Sequence, residues 1–225
     1  MGLALRLREG TSLNHDAAEQ SGFVRCFIKG VLEPNTYIRH LEDFYFVYQA
    51  MEECLREHAN DPVISKIYFP ELFREEAIAR DLEFFLGEDW RSKISLSPSG
   101  RVYVDHIREI SSSKPYLLVA HSYVRYLGDL SGGQILKKIA AKSLGLESGR
   151  GIEFYEFPEI SNLNEFKKNY REALDSLPLT EEQEEEVLSE AKYVFDLNKK
   201  VFSELEKDLI ANIGQERFDA VLKAS

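Results

Sequence analysis

Cysteine is nearly absent from this 225-residue chain: only Cys26 and Cys54 occur, both in helix-like text. Two thiols build no disulfide framework and fit a reducing compartment. Long apolar runs are missing too, so no segment reads as a bilayer span. The opening MGLALRLREG lacks the apolar core of a signal peptide. Arg6 breaks the myristoylation pattern, and the terminal LKAS offers no prenylation cysteine. Positive charge is in deficit, with 28 Lys and Arg against 39 Asp and Glu and a formal net charge of -11. That balance argues against nucleic acid as a partner, because such binding is dominated by phosphate neutralisation. No phosphate loop, no dinucleotide glycine fingerprint, no zinc-protease helix and no nucleophile elbow is present. A di-iron carboxylate bundle needs Glu three residues before His. The five histidines have Ser12, Tyr37, Leu55, Tyr103 and Leu118 there instead. These absences leave a cytoplasmic protein with no membrane attachment as the expectation.

What remains is ordinary globular composition, 44% hydrophobic and 30% charged, enough for one domain over 1–225 with a sizeable core. Periodicity predicts an all-α fold of about eight helices and no strand. The first helix is expected over Ala4–Ser21 and a short apolar one over Phe23–Leu32, stopped by Pro34. A long helix over Asn35–His58 carries the stripe Tyr37, Leu41, Phe44, Tyr48, Met51 and Leu55. Arg74–Leu86 follows, then a loop at Ser95–Gly100 and a short helix at Val102–Ile110. Gly145–Pro158 reads as irregular and Glu165–Leu177 as helix. The last long helix is predicted over Glu181–Ile213, opened by the capping-box spacing of Thr180 and Gln183, with a short one after Gly214. The acidic run Glu181–Glu186 reads as a solvated face.

The stretch Leu117–Ile139, LLVAHSYVRYLGDLSGGQILKKI, stands out. It has helical period yet holds Gly128, Gly132 and Gly133, each costing roughly 1 kcal/mol against alanine in a helix interior. Gly128 and Gly132 share a face and bare one patch of backbone, with Asp129 at its edge. Two readings stand side by side: close helix packing, or a platform for a flat, bulky ligand. A second anomaly is Asn198, an amide within the apolar stripe Val187, Ala191, Val194, Val201 and Leu205; it needs a hydrogen-bond partner. Among the histidines, His40 lies beside Arg39, Glu42 and Asp43 and is expected to be exposed. His58, His106 and His121 read as structural. His15 differs, flanked by small residues and with Glu19 one turn on.

Several strings then line up in one order. HDAAE at His15–Glu19 after LREGT resembles the proximal-helix motif of heme oxygenases, and YLGDLSGGQILKKIA at Tyr126–Ala140 resembles their distal-helix motif. YFPEL at Tyr68–Leu72, FYEF at Phe154–Phe157, FKKNYR at Phe166–Arg171 and FDLNKKVF at Phe195–Phe202 are similar as well. The wording is closest to the cyanobacterial and plastid branch, which takes electrons from ferredoxin. The resemblance implies a heme-oxygenase-like bundle with heme b, both substrate and cofactor, sandwiched between a proximal and a distal helix. It implies His15 as iron ligand and Glu19 as that ligand's partner. Gly128 and Gly132 would face the distal side of the heme, and Asp129 would order distal water. Arg8, Lys167 and Arg171 would hold the propionates with Tyr123 and Tyr170 assisting, while Phe195, Asn198 and Phe202 would line the pocket. The implied reaction uses O2 and reduced ferredoxin to open heme at the α-meso carbon. Its products are biliverdin IXα, CO and Fe2+, the first feeding bilin reductases and photosynthetic pigments. Since the chain is acidic, a ferredoxin partner would need a local basic face, for which Lys137, Lys138, Lys142, Lys167, Lys168, Lys199 and Lys200 are the candidates.

Overall fold

A computed structural model describes residues 2–146 and 149–223. Glu147 and Ser148, inside the stretch expected to be irregular, lie outside the described residues, as do Met1, Ala224 and Ser225. Among the described residues the architecture is all-α: α1 (Leu3–Gly10), α2 (Ser12–Glu19), α3 (Gly22–Ile28), α4 (Pro34–Glu57), α5 (Glu75–Leu86), α6 (Pro98–Ser113), α7 (Leu118–Asp129), α8 (Gly133–Leu144), α9 (Leu163–Asp175), α10 (Glu181–Ile213) and α11 (Gln215–Lys223). Short 3-10 turns join several of them. The excess over eight comes from two predicted helices that are each broken once, and from α11, the short helix expected after Gly214.

Helix α10 is the spine. Its 33 residues span about 50 Å, and Val187, Ala191, Val194, Leu197, Val201, Leu205 and Leu209 are all buried along it. Its start is the predicted capping box: the Thr180 side chain accepts from the Gln183 amide at 3.2 Å, and the Gln183 side chain accepts from the Thr180 amide at 3.0 Å. Helices α1, α2, α3, α4, α6, α7 and α11 all pack against α10, whereas α2 and α7 scarcely touch one another. Helix α4 is buried over most of its length and packs on α5, α6, α7 and α10, with several charged residues among the buried ones.

Three boundaries differ from expectation, and proline explains two. Pro34 and Pro98 each occupy the first turn of a helix, where a missing N–H costs nothing. So α3 ends at Ile28, with Gly30 left-handed at φ 74° behind it, and Pro34 opens α4 rather than stopping its predecessor. Likewise α6 begins inside the expected loop, capped by the Ser97 hydroxyl, which accepts from the Gly100 amide at 2.9 Å. The third is the break between α1 and α2 at Thr11, whose hydroxyl donates to the Leu7 carbonyl at 2.7 Å. The acidic run is less solvated than predicted: Glu184 and Glu185 pair with Arg6, and Glu186 with Lys114 and Tyr116.

Because the α10 cap satisfies its terminal amides reciprocally, Thr180→Ala is expected to lower unfolding stability by about 1 kcal/mol. Urea denaturation would show this as a shifted midpoint at unchanged slope.

Candidate functional site

The glycine stretch is not one helix. Helix α7 ends at Asp129 and α8 starts at Gly133, with a tight turn between in which the Ser131 amide reaches the Gly128 carbonyl at 3.2 Å. The Gln134 side chain closes the break, donating to the carbonyls of Asp129 at 3.3 Å and Tyr155 at 2.9 Å. Such a kink is what clustered glycines permit. A Cβ built on Gly128 would meet nothing within 4 Å, and one on Gly132 only the Gly128 carbonyl at 3.7 Å. Close helix packing therefore does not account for these residues, because no neighbouring helix occupies the space they leave.

That space belongs to a cavity of about 710 Å³, within the range of small-molecule and cofactor sites. Helices α1 and α2 contribute Arg8, His15 and Glu19 to its walls; α7 and the kink contribute Tyr123, Arg125, Gly128, Asp129 and Gly132. Phe195, Asn198 and Phe202 of α10 form its floor, and Arg171 of α9 stands at its edge. Of the residues singled out from the sequence, only Lys167 and Tyr170 do not line it. Lys167 lies one turn before Arg171 on α9 and is half-buried. Tyr170 is fully buried, its hydroxyl 2.7 Å from that of Ser122. The side chain of His15 is 55% exposed, which a ring facing a cavity allows; its Nε2 lies 3.7 Å from Glu19 and its Nδ1 3.8 Å from Asp16. The ring meets Phe195 edge-on, with centroids 6.0 Å apart.

Behind the kink lies a polar network that the sequence did not reveal. The buried Tyr48 hydroxyl donates to Asp129. Arg125 donates to the Tyr48 hydroxyl at 3.1 Å, to Asn198 Oδ1 at 3.1 Å and to Asp129 at 3.4 Å, with its guanidinium 4.2 Å above the Phe44 ring. The Asn198 amide also donates to the Val194 carbonyl at 2.9 Å, so both its ends are satisfied. Burial raises the Asp129 carboxyl above its usual range, and Arg125, the Tyr48 hydrogen bond and Arg74 only partly offset this. Burial alone would depress the Arg125 guanidinium, but Tyr48 and Asp129 outweigh it and hold it above its ordinary value. Further back, Tyr126 donates to Glu52 at 3.2 Å, and burial pushes the Glu52 carboxyl up to about 8. Two signals for this network stood in the sequence: the Arg125–Asp129 spacing of four, and a tyrosine within the α4 stripe whose hydroxyl needs a partner.

His40 overturns its expectation. It is 6% exposed and lines the cavity amid the rings of Phe23, Phe27, Tyr37, Phe44 and Phe154. Glu42 and Asp43, read as marking a solvent face, are themselves buried and accept from the amides of Ser95 at 3.4 Å and Ser97 at 2.8 Å. His40 Nδ1 has no partner among the described residues. Burial, with Arg125 nearby, pushes its pKa down to about 3.

A histidine ring on one wall, a ridge of bare backbone on another and cationic side chains at the edge suit a large planar ligand. The chain belongs to the heme oxygenase family: the family model for heme oxygenase matches residues 1–204. A relative from Nostoc sp., described as heme oxygenase 1, is 48% identical over 98% of this chain and 93% of its own length. The crystal structure of heme oxygenase-1 from the cyanobacterium Synechocystis sp., in complex with heme, superposes with a TM-score of 0.93 at 47% identity, covering 98% of this chain and all of that one. The heme oxygenase structure from Leptospira interrogans is 56% identical, with a TM-score of 0.88, over 91% of this chain and all of that one.

Two outcomes follow for the protein without ligand. Gly128→Ala should fold and be more stable by up to about 1 kcal/mol, since a methyl there meets no protein atom and improves helix propensity; a lower thermal midpoint would contradict the geometry. For His40, folded and unfolded states are alike above its ordinary pKa of 6.5, while between 6.5 and about 3 only the unfolded chain takes up the proton. Stability should thus fall with pH in that window, by up to about 1.4 kcal/mol per unit. The advantage of His40→Leu over the parent, read from urea midpoints, should widen as pH falls from neutrality.

Proposed function

We propose that this chain, acting as one domain, binds heme in the cavity and cleaves it oxidatively. The observation that carries this reading is the empty volume over Gly128, which no protein atom claims. The residues present suit the group: His15 offers a ring nitrogen to the iron, with Glu19 beside it. Phe195 and Phe202, which line the cavity, would offer the group an apolar surface. Arg8 and Arg171, with Lys167 one turn away, would hold the propionates, assisted by Tyr123, while Tyr170, buried with its hydroxyl on Ser122, supports the wall from behind. Bound heme would supply an iron centre that activates O2 against its own ring.

The chain's part is to shape and supply that chemistry. Without side chains at 128 and 132, the bare ridge would leave room for O2 beside a bound heme. A larger residue at either position would fill that room. Asp129, with its pKa raised by burial and its carboxyl held by Tyr48 and Arg125, handles the proton through ordered water. Asn198 fixes Arg125 from the α10 side. The cationic clamp would orient a bound heme and so select the α position. Products are biliverdin IXα, CO and Fe2+, with electrons from reduced ferredoxin; bilin reductases would take the biliverdin onward. Docking an acidic ferredoxin relies on local lysines, because repulsion from the net charge is screened within about 8 Å at physiological salt. Lys137, Lys168 and Lys199 each pair with an acidic neighbour, so Lys138, Lys142 and Lys200 are the better candidates. No helix among the described residues is long and apolar enough to cross a membrane.

Hemin added to the protein should produce a Soret band, and ferredoxin, its reductase and NADPH should then convert it to biliverdin. No Soret band would overturn the heme reading; a heme complex stable under those reducing conditions would instead mark a carrier. Asp129→Ala is expected to cut biliverdin formation by a factor on the order of 10², and normal yield would remove it from proton handling. Lys167 and Arg171 replaced together by alanine should give mixed biliverdin isomers.

A further inference from the structure

Two histidines that read from the sequence as structural meet one glutamate outside the cavity. His106 of α6 and His121 of α7 both turn Nε2 onto the same carboxylate oxygen of Glu190 on α10, at 2.7 and 2.8 Å. The three ligand atoms all lie within 4.8 Å of one another. His121 is fully buried, and the side chains of Glu190 and His106 are 10% and 19% exposed. None of the three lines the cavity.

We propose that His106, His121 and Glu190 form a binding site for one first-row divalent cation, Zn2+ or Fe2+, held by two imidazole nitrogens and a carboxylate. Four observations carry this. The donor set is two nitrogens and one oxygen, which suits those ions and not Ca2+ or Mg2+, whose ligands are oxygens. The Glu190 carboxylate gathers both imidazole nitrogens on one of its oxygens, so the three donors already share one point of the fold. Its only ion-pair partners among the described residues are those two imidazoles, with no lysine or arginine in range. A buried negative charge without a cationic side chain favours a bound cation. Finally, the ligands come from three helices packed on one another, so little ordering remains to be done on binding.

Between each imidazole and the carboxylate, the present spacing needs only a small opening. Metal–nitrogen bonds of about 2.0–2.1 Å in tetrahedral geometry set ligand atoms about 3.3 Å apart, roughly half an ångström beyond the hydrogen-bonded distances. His106, at the solvent edge, can supply that shift. Three protein ligands leave a fourth position open, reached past His106, whose ring meets Tyr193 edge-on at 4.9 Å. His121 Nδ1 has no partner among the described residues. It would be an orphan acceptor in the hydrogen-bonded form and an orphan donor in the metal-bound form, so its cost does not decide between them. The second histidine–carboxylate group, His15 with Asp16 and Glu19, is exposed and belongs to the cavity already described.

The test reads metal directly and involves no turnover. The chain, stripped of metal and free of heme, is titrated anaerobically with Co2+, following its visible d–d bands, and with Zn2+ and Fe2+ by calorimetry or competition against Co2+. One ion per chain is expected, retained in His15→Ala and bound at least about tenfold more weakly in His106→Ala and Glu190→Gln. The metal should also raise the thermal midpoint of the parent but not of His106→Ala. Zn2+ and Fe2+ affinities from the same titration decide which ion the site prefers. Absence of bound metal overturns the proposal, as does binding that survives His106→Ala or disappears in His15→Ala. His106 lies at the edge of the fold, so far-UV circular dichroism should show that variant intact; if Glu190→Gln fails to fold, His106→Ala alone decides.

Discussion

One buried guanidinium holds the glycine wall of the cavity in place. Arg125 cannot lose its proton at any accessible pH, so its burial obliges the surrounding helices to supply acceptors. Tyr48 from α4, Asn198 from α10 and Asp129 at the end of its own helix do so, and the Phe44 ring lies beneath its charge. These contacts join α4, α7 and α10 at one point. They also orient Asp129, the acidic group nearest the bare ridge. Any change that removed Arg125 would leave a tyrosine, an amide and a carboxyl searching for partners at once.

Helix α10 supplies the complementary constraint. Because α2 and α7 both rest on it and hardly meet each other, the space between them persists as a cavity instead of collapsing into core. The kink at Leu130–Gly132 bends the second wall around that space. Three glycines within six residues are a conformational liability in a helix, and here their cost is matched by nothing that packing gains, since the space over Gly128 is open. Local stability has been given up where the ligand would lie. The carboxyls of Glu42, Asp43 and Glu52 show a related logic in the frame: each is buried on α4 and accepts from the backbone at the start of another segment. Polar residues on that helix organise turns where a periodicity reading would have put them in solvent.

What was legible followed from local rules. The α10 boundaries came out as predicted because a capping box, a steady apolar stripe and a terminal glycine all act within a few residues of themselves. His15, the glycines, Asp129, Arg8, Arg171 and the α10 pocket residues were found through motif wording, and the fold gathers them around one cavity. The misread places share a cause. Pro34 reads as a stop and Pro98 as part of a loop, although proline also starts helices, and only the neighbouring caps decide which.

The sequence by itself determined the all-α class, the order of the helices and many of the residues that line the cavity, because periodicity, capping and motif spacing are encoded in nearby residues. Tertiary structure alone decided which polar groups meet. That His40 is buried, that Tyr48 and Arg125 stand behind Asp129, and that His106, His121 and Glu190 share one point all depend on how separate helices cross. Those crossings are set by side-chain packing over tens of ångströms, and no window of the sequence contains them.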